Sequence, residues 1–525
     1  MCGIFGIIGN NQINQINIIP ESLIVNNFKL GSKRGPESEK YTIINKEVSL
    51  GFHRLAINGL NEESNQPFYI NGIYLVCNGE IYNYKNLYSR VNVVPVTQSD
   101  CEVIIHLYLQ YGIEYTLELL DGVFSFILYD SIKNKTFISR DPYGVRPLYY
   151  CSNDSVVVFA SELKQIHKLG NNCLHFPPGN FLMINSTINQ LTFNKYSSFP
   201  FIQLKINSHY TIYDLYNGIY NKLLEAVKKR TIGTTDRPVA CLLSGGLDSS
   251  LITAMVNSFL PKGTLETYSI GLPGSVDLTH AKIVADYLGT KHTEVILDEV
   301  TFISYIPEVI KTIESYDTTT VRASVGNYLI GKYIASHSNA KVIFNGDGSD
   351  ELTGGYLYFH KVPDNTQFDF ECRRLLRDIY MFDVLRSDKC ISSNGLEPRT
   401  PFLDRSFVEF YLSIPVEIRC QMKMGEKYLL RKAINYCNSS LIPKEILYRR
   451  KEAFSDGVSS NDRSWYQVIN EYLLKNNPNG AKSEKEYYRE IFDKEYPNCG
   501  QVVDYYWMPK YSNTDDPSAR TLDYY

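Results

Sequence analysis

The sequence predicts two domains of different class. An α+β unit with an antiparallel sheet occupies residues 1–195, and an α/β unit with a doubly wound parallel sheet and additional helices occupies residues 210–525. Three observations predict this. A chain of 525 residues exceeds what one ordinary core needs. Its first part consists mainly of short β-branched and aromatic runs separated by turn residues. From about residue 210, strands alternate with helices.

In the first half the runs VSLGFHRLAI (48–57), GIYLVCNG (72–79), VFSFILYD (123–130), KTFISRD (135–141) and VVVFAS (156–161) read as strands. One helix interrupts them: Ser99 to Glu102 has the pattern of a capping box, EVIIHLYLQY continues it, and Gly112 closes it. The polar run NNQINQINII (10–19) reads as a loop. The segment 190–210 fits neither rhythm and reads as a linker.

In the second half, helix 210–230 places Ile212, Leu215, Ile219, Leu223 and Val227 on one face and ends in basic residues. Strands follow at 239–243, 265–272, 292–297 and 341–346, with helices at 247–256 and 278–288 between them. From about 365 the chain is mostly helical, and after 495 it is irregular and Tyr-rich. In such a sheet, ligands sit where strands end and helices begin.

Composition narrows the function. A net charge of −4 gives no support to nucleic-acid binding. The 11 cysteines are scattered, without C-x-x-C pairs, which fits a reducing, cytoplasmic setting. No stretch of about 18 apolar residues is present to span a membrane.

LLSGGLDSS (242–250) runs from a strand through two glycines into a helix. Gly245 and Gly246 let backbone amides turn inward as a nest, and the helix N-terminus adds positive potential. Ser244, Ser249 and Ser250 supply hydroxyls, a set suited to pyrophosphate, and no Walker A pattern is present. FNGDGSDELTGGY (344–356) gathers Asp347, Asp350 and Glu351 around glycines, a composition suited to Mg²⁺. Thr319, Thr320, Arg322 and Lys451 lie in two further polar stretches, and Arg or Lys near phosphates neutralises charge on a leaving pyrophosphate.

Four polar clusters mark the first half: His53-Arg54, Asn78-Gly79-Glu80, Asp100 and Arg140-Asp141. Around a thiol they suggest an amino-acid pocket. Arg54 can hold an α-carboxylate, Asp100 an α-ammonium, and Asn78 with the Gly79 amide an oxyanion. Singly, each has a plainer reading: Asp100 at a helix dipole, Asn-Gly in a hairpin, and Arg54 as a cross-strand partner.

With MCGIFG at the start, these clusters resemble the class II glutamine amidotransferases, whose mature chain begins with the catalytic cysteine. That resemblance implies an antiparallel αββα sandwich of N-terminal-nucleophile type. It also implies removal of Met1, leaving Cys2 with an α-amine of pKa about 7.7–8.0 as its own base. SGGLDSS is similar to the loop of the ATP-pyrophosphatases. Both halves in this order resemble the glutamine-hydrolysing asparagine synthetases, through RGP (34–36), RLAI, NGEIYN, SDCE, RDPYG, YDTTTVRAS, GDGSDELTGGY, RTPFLD, KEAFSDG and WMPKY (507–511).

The resemblance implies glutamine hydrolysis at Cys2, ammonia passing through an internal tunnel, and adenylation of aspartate by ATP before AMP is displaced. It places Arg54, Leu55, Ala56, Ile57, Asn58, Asn78, Gly79, Glu80 and Asp100 in the glutamine pocket. Leu242, Ser244, Gly245, Gly246, Asp248, Ser249, Ile270, Asn345 and Gly346 fall at the nucleotide. Asp347, Arg322 and Lys451 join Cys2, Asn78 and Gly79 as catalytic, and Asp248 and Asp350 are the expected Mg²⁺ ligands. A homodimer is the expected assembly. The chain departs from the family's common SGEGSDE at Asn345 and Asp347, the latter one methylene shorter than glutamate. An amidotransferase feeding another acceptor, or a β-lactam synthetase-like enzyme, shares the adenylation chemistry.

Overall fold

GIFGIIG forms strand β1 (Gly3–Gly9), with all seven residues buried, in the computed structural model of the protein. The structure describes residues 2–9, 19–153, 155–185, 191–199, 201, 203–205, 210–452, 454–460, 463–476, 483–518 and 521–522. Met1 and residues 10–18, where a loop is expected, lie outside the described residues. The other N-terminal strands are β2 (Ser38–Ile43), β3 (Val48–Arg54), β4 (Phe68–Ile70), β5 (Ile73–Ile81), β6 (Gly122–Asp130), β7 (Lys135–Arg140), β8 (Tyr149–Ser152), β9 (Val156–Ala160), β10 (Asn171–His175), β11 (Asn180–Ile184) and β12 (Phe193–Lys195).

They form two six-stranded sheets, in the orders β10-β8-β9-β1-β3-β2 and β12-β11-β7-β6-β5-β4. Neighbouring strands run antiparallel. Ile4, Leu50, Phe52, Val76, Ile127 and Phe159 fill the space between the sheets. A Cβ on Gly6 would lie 2.5 Å from Ile127 Cδ1, so glycine here allows the sheets to approach. Phe5 and Ile7 face the other way, which explains why β1 is apolar on both faces. They meet helix α1 (Glu21–Lys29) through Ile24 and Phe28.

Helix α2 (Val103–Tyr111) covers the opposite sheet, packing Ile104 and Leu107 on Leu75, Cys77 and Phe126. This is the expected αββα sandwich. The capping box does not form. Asp100–Glu102 is a single tight turn ahead of α2, and Ser99 Oγ accepts from the Cys101 amide at 3.3 Å. Glu102 turns instead to the Val96 amide at 2.7 Å and to His106 at 2.9 Å. Part of the expected linker is also structured, because β12 pairs with β11.

The second domain is a five-stranded parallel sheet in the order β15-β14-β13-β16-β17, formed by β13 (Val239–Leu242), β14 (Glu266–Gly271), β15 (Lys291–Ile296), β16 (Val342–Phe344) and β17 (Glu397–Arg399). Around it stand α3 (Ile212–Thr231), α4 (Leu247–Ser258), α5 (Val276–Leu288), α6 (Thr318–His337), α7 (Asp383–Ser392) and α8 (Tyr428–Cys437). β17 is absent from the sequence reading because three residues with a central proline carry no strand pattern.

The domains share buried charge as well as apolar core. Arg34 reaches Glu162 at 2.8 Å and Asp388 on α7 at 2.7 Å, and Lys389 on α7 reaches Glu162 at 3.2 Å.

Candidate active sites

Cys2 stands at the lip of β1, between the two sheets. Its Sγ donates to the Leu55 carbonyl oxygen at 3.6 Å, and Arg34 Nε donates to the Cys2 carbonyl oxygen at 2.9 Å. The main chain of the nucleophile is thus fixed by a buried arginine. Burial pushes the thiol pKa above its ordinary value, so the resting group is a thiol that needs a base.

Around it stand the expected pocket residues, from the ends of β3 and β5 and from the turn ahead of α2. Arg54 closes β3, with Nη1 donating to Asn65 Oδ1 at 2.9 Å and Nη2 to the Gly59 carbonyl. Leu55 touches Cys2, and the Ala56 amide donates to Glu37 Oε2 at 2.7 Å. The Ile57 carbonyl accepts from the Asp236 amide, tying the loop to the second domain.

On β5, Asn78 is fully buried, and its Nδ2 faces Ser161 Oγ at 3.5 Å. The same hydroxyl oxygen accepts from the Ile4 amide at 3.0 Å, which puts Asn78 against the strand that follows Cys2. Gly79 has no room for a side chain, since a Cβ would sit 2.4 Å from the Val123 carbonyl oxygen. Asp100 Oδ2 accepts from the Ile81 amide at 2.6 Å, and the Asn58 side chain lies beside the same carboxyl group. Burial raises the Asp100 pKa to about 6. Glu80, also raised by burial and by Asp100, pairs across the domains with Arg399 at 3.4 Å.

The second site is a cavity of about 200 Å³ at the carboxyl ends of β13, β14 and β16. Leu242, Ser244, Gly246, Asp248 and Ser249 line it from the first loop, Ile270 from β14, and Asn345 to Gly348 from the β16 loop. Gly245 lies behind the wall with φ +70, and a Cβ there would meet the Ala281 nitrogen at 2.3 Å. The loop is braced internally: Ser244 and Ser249 hydroxyls lie 3.0 Å apart, and Ser249 Oγ accepts from the Ser244 amide at 3.2 Å. Gly346 lets the two loops touch, because its Cβ would come within 2.8 Å of Asp248 Cβ.

The charges of the cavity are paired. Lys427 Nζ lies 2.5 Å from Asp248 and 2.6 Å from Asp350, and Lys451 Nζ lies 2.6 Å from Asp350. Ser349 Oγ donates to Asp248 Oδ1 at 2.8 Å. Asp350 is held well below the usual carboxylate range: burial opposes this, and the two lysines overcome it. Asp347 is met by Arg386 of α7 at 2.9 Å, although burial leaves its carboxyl raised.

Arg322 is placed differently from the expectation. It stays out of the cavity lining, with its guanidinium engaged by Glu484 and, at 2.6 Å, by Asp516. The neighbouring Thr319 and Thr320 do line the cavity. Lys427 and Arg386 were not read from the sequence. Arg386 lies in α7 among Asp388 and Lys389, and Lys427 stands at the residue before α8, so neither has a local pattern to separate it from surface charge.

Two family models match the chain. One, described as a glutamine amidotransferase domain, matches residues 1–222, and one described as asparagine synthase matches residues 218–373 and 361–513. The human protein named asparagine synthetase [glutamine-hydrolyzing] is 38% identical over an alignment of 571 positions, covering 100% of this chain and 99% of its own. The Gallus gallus protein of the same name is 38% identical over 568 positions with the same coverage. With both domain models in order and relatives matched from end to end, the chain belongs to the family of glutamine-hydrolysing asparagine synthetases.

Proposed function

We propose that this enzyme converts aspartate to asparagine, splitting ATP to AMP and pyrophosphate and drawing nitrogen from glutamine. The observation that carries this reading is the joining of two complete sites in one chain. A half-buried thiol just ahead of β1 faces polar residues suited to an amino acid, and a phosphate loop opens on an acidic cavity.

At the first site the α-amine of Cys2, freed by loss of Met1, takes the thiol proton as sulfur attacks the glutamine amide carbon. Arg54 and Asp100 hold the two ends of the amino acid. Asn78 Nδ2 and the Gly79 amide receive the oxyanion as charge grows on it. Collapse releases ammonia and leaves a thioester, which water hydrolyses to glutamate and free Cys2. The ammonia passes within the protein to the second site.

There the Gly246 amide with Ser244 and Ser249 cradles phosphate oxygens, in a turn that Gly245 makes possible, and Leu242, Ile270, Asn345 and Gly346 border the nucleotide. The aspartate side-chain carboxylate attacks the α-phosphorus, giving β-aspartyl-AMP and pyrophosphate. Ammonia then attacks the acyl carbon and AMP leaves. Lys451 neutralises the departing pyrophosphate, and Asp347 keeps the acyl-transfer region ordered through Arg386. Asp248 and Asp350 converge on one side of the cavity, a donor set that fits Mg²⁺ completed by phosphate oxygens. When bound, the ion supplies neutralisation of triphosphate charge. Eleven free cysteines support a cytoplasmic location within the same reading, and a homodimer is its assembly, to be measured by sedimentation.

Two variants test the reading. Cys2→Ala abolishes glutamine-driven asparagine formation and leaves ammonia-driven synthesis within about twofold, on the logic that a nucleophile's loss is confined to its own step. Asp248→Ala stops AMP formation while glutaminase activity persists. Loss of both activities in both variants would overturn the separation of the sites.

A further inference from the structure

The segment WMPKY and the residues after it have no task in the mechanism above, yet they form part of the second cavity. Trp507, Pro509, Pro517 and Leu522 line it. Trp507 is 7% exposed and packs against Tyr356, itself a lining residue, at a ring separation of 5.3 Å.

Among the contacts that hold this segment in place, three matter here, and two come from the first turns of α6. Asp317, the residue capping α6, accepts from the Trp507 amide at 2.7 Å through Oδ1 while its Oδ2 accepts from the Thr320 amide at 2.9 Å. Arg322 forms a two-pronged pair with Asp516, Nη1 to Oδ1 at 2.8 Å and Nη2 to Oδ2 at 2.6 Å. Such parallel pairing fixes direction as well as distance. Third, Ser518 Oγ donates to Asp456 Oδ1 at 2.6 Å, in the KEAFSDG stretch. Asp516 also accepts from the Ser518 amide at 2.8 Å, so the turn carrying Pro517 is closed on itself. Thr319 and Thr320 on the same turns of α6 face the cavity, so one helical end carries both part of the floor and the anchors of the wall.

The lining side chains of this wall are an indole, two prolines and a leucine. Proline has no amide hydrogen to hold a water molecule, and the others present apolar surface. The chemistry gives such a wall a use. The acyl carbon of β-aspartyl-AMP accepts water as readily in kind as ammonia. Attack by water forms a C–O bond, breaks the acyl–phosphate bond, and returns aspartate and AMP with no asparagine made. Excluding water is a recognised task of closed active sites.

We propose that residues 507–518, with Leu522, are a water-excluding wall of the adenylation cavity, with Asp317, Arg322 and Asp516 as its positioning residues. This rests on the adenylating reading of the site and adds to it a control over wasted turnover. Arg322 then acts on the reaction through the wall it holds.

The test counts pyrophosphate released per asparagine formed, using the full-length enzyme with aspartate, ATP and ammonia. The wild type gives a ratio near one. Asp516→Asn raises it at least twofold, Ser518→Ala raises it by a smaller factor, and Asp516→Glu brings it back towards one. Glutaminase activity of each variant, which depends on the other domain, stays at the wild-type rate. Ratios near one in both Asp516→Asn and Ser518→Ala overturn the proposal. Failure of the wild type to make asparagine at all would instead overturn the adenylating reading.

Discussion

Burial acts on Cys2 and Asp100 in the same direction, and the two groups answer it differently. The thiol is pushed up and stays protonated at rest, so its reactivity depends on a neighbouring base. Asp100 is pushed to about 6 yet must be charged to hold an ammonium group. A carboxyl raised to this value is neutral below it and ionised above it. The KM for glutamine is therefore expected to be flat above pH 7 and to rise about tenfold by pH 5, following one protonation. Glutaminase kinetics across that range check it, with Asp100→Asn expected to flatten the profile at a high KM. Cys2 was legible through MCGIFG and Asp100 through SDCE, because each is one short segment of the chain. Glu102 was misread in the same segment: its carboxylate finds the Val96 and Thr97 amides of the incoming loop, closer partners than the Ser99 amide.

Among the elements, the turn between β13 and α4 is the most demanding. Gly245 combines a positive φ with an approach to Ala281 too close for any side chain. Gly245→Ala is expected to lower stability by about 1–3 kcal/mol through overpacking and to reduce pyrophosphate release at least tenfold, while glutaminase activity is kept. Denaturant unfolding and the two partial assays separate these effects. The alternation of strand and helix made this turn legible, since it fixes which strand end faces a ligand. β17 and the wall at 507–518 were not legible, for a shared reason. Both are held by contacts distant in sequence, Asn345 to Arg399 in one case and α6 in the other, and neither has a local hydrophobic period.

At the scale of the molecule, the two sites are tied by buried ions. Arg34 bonds the Cys2 carbonyl with one nitrogen and reaches Asp388 on α7 with another. The same helix presents Arg386 to Asp347 and Ser387 to Asn345, at 2.5 Å, in the synthetase loop. Removing one member of a buried ionic group leaves the others uncompensated, typically costing about 3–5 kcal/mol. Arg34→Ala is accordingly expected to lower unfolding free energy by about that amount and to depress glutaminase kcat, measurable by chemical denaturation and glutamate release. Neither the partner Asp388 nor the tie itself is visible in sequence, where the two residues stand 354 positions apart.

That tie has a genetic consequence. Because Asp388 of α7 holds the arginine that grips the nucleophile's backbone, a lesion at Asp388 maps to the synthetase half yet disturbs the glutaminase. Cells dependent on such an allele should need asparagine when glutamine is their nitrogen source. A generous supply of ammonium should restore their growth.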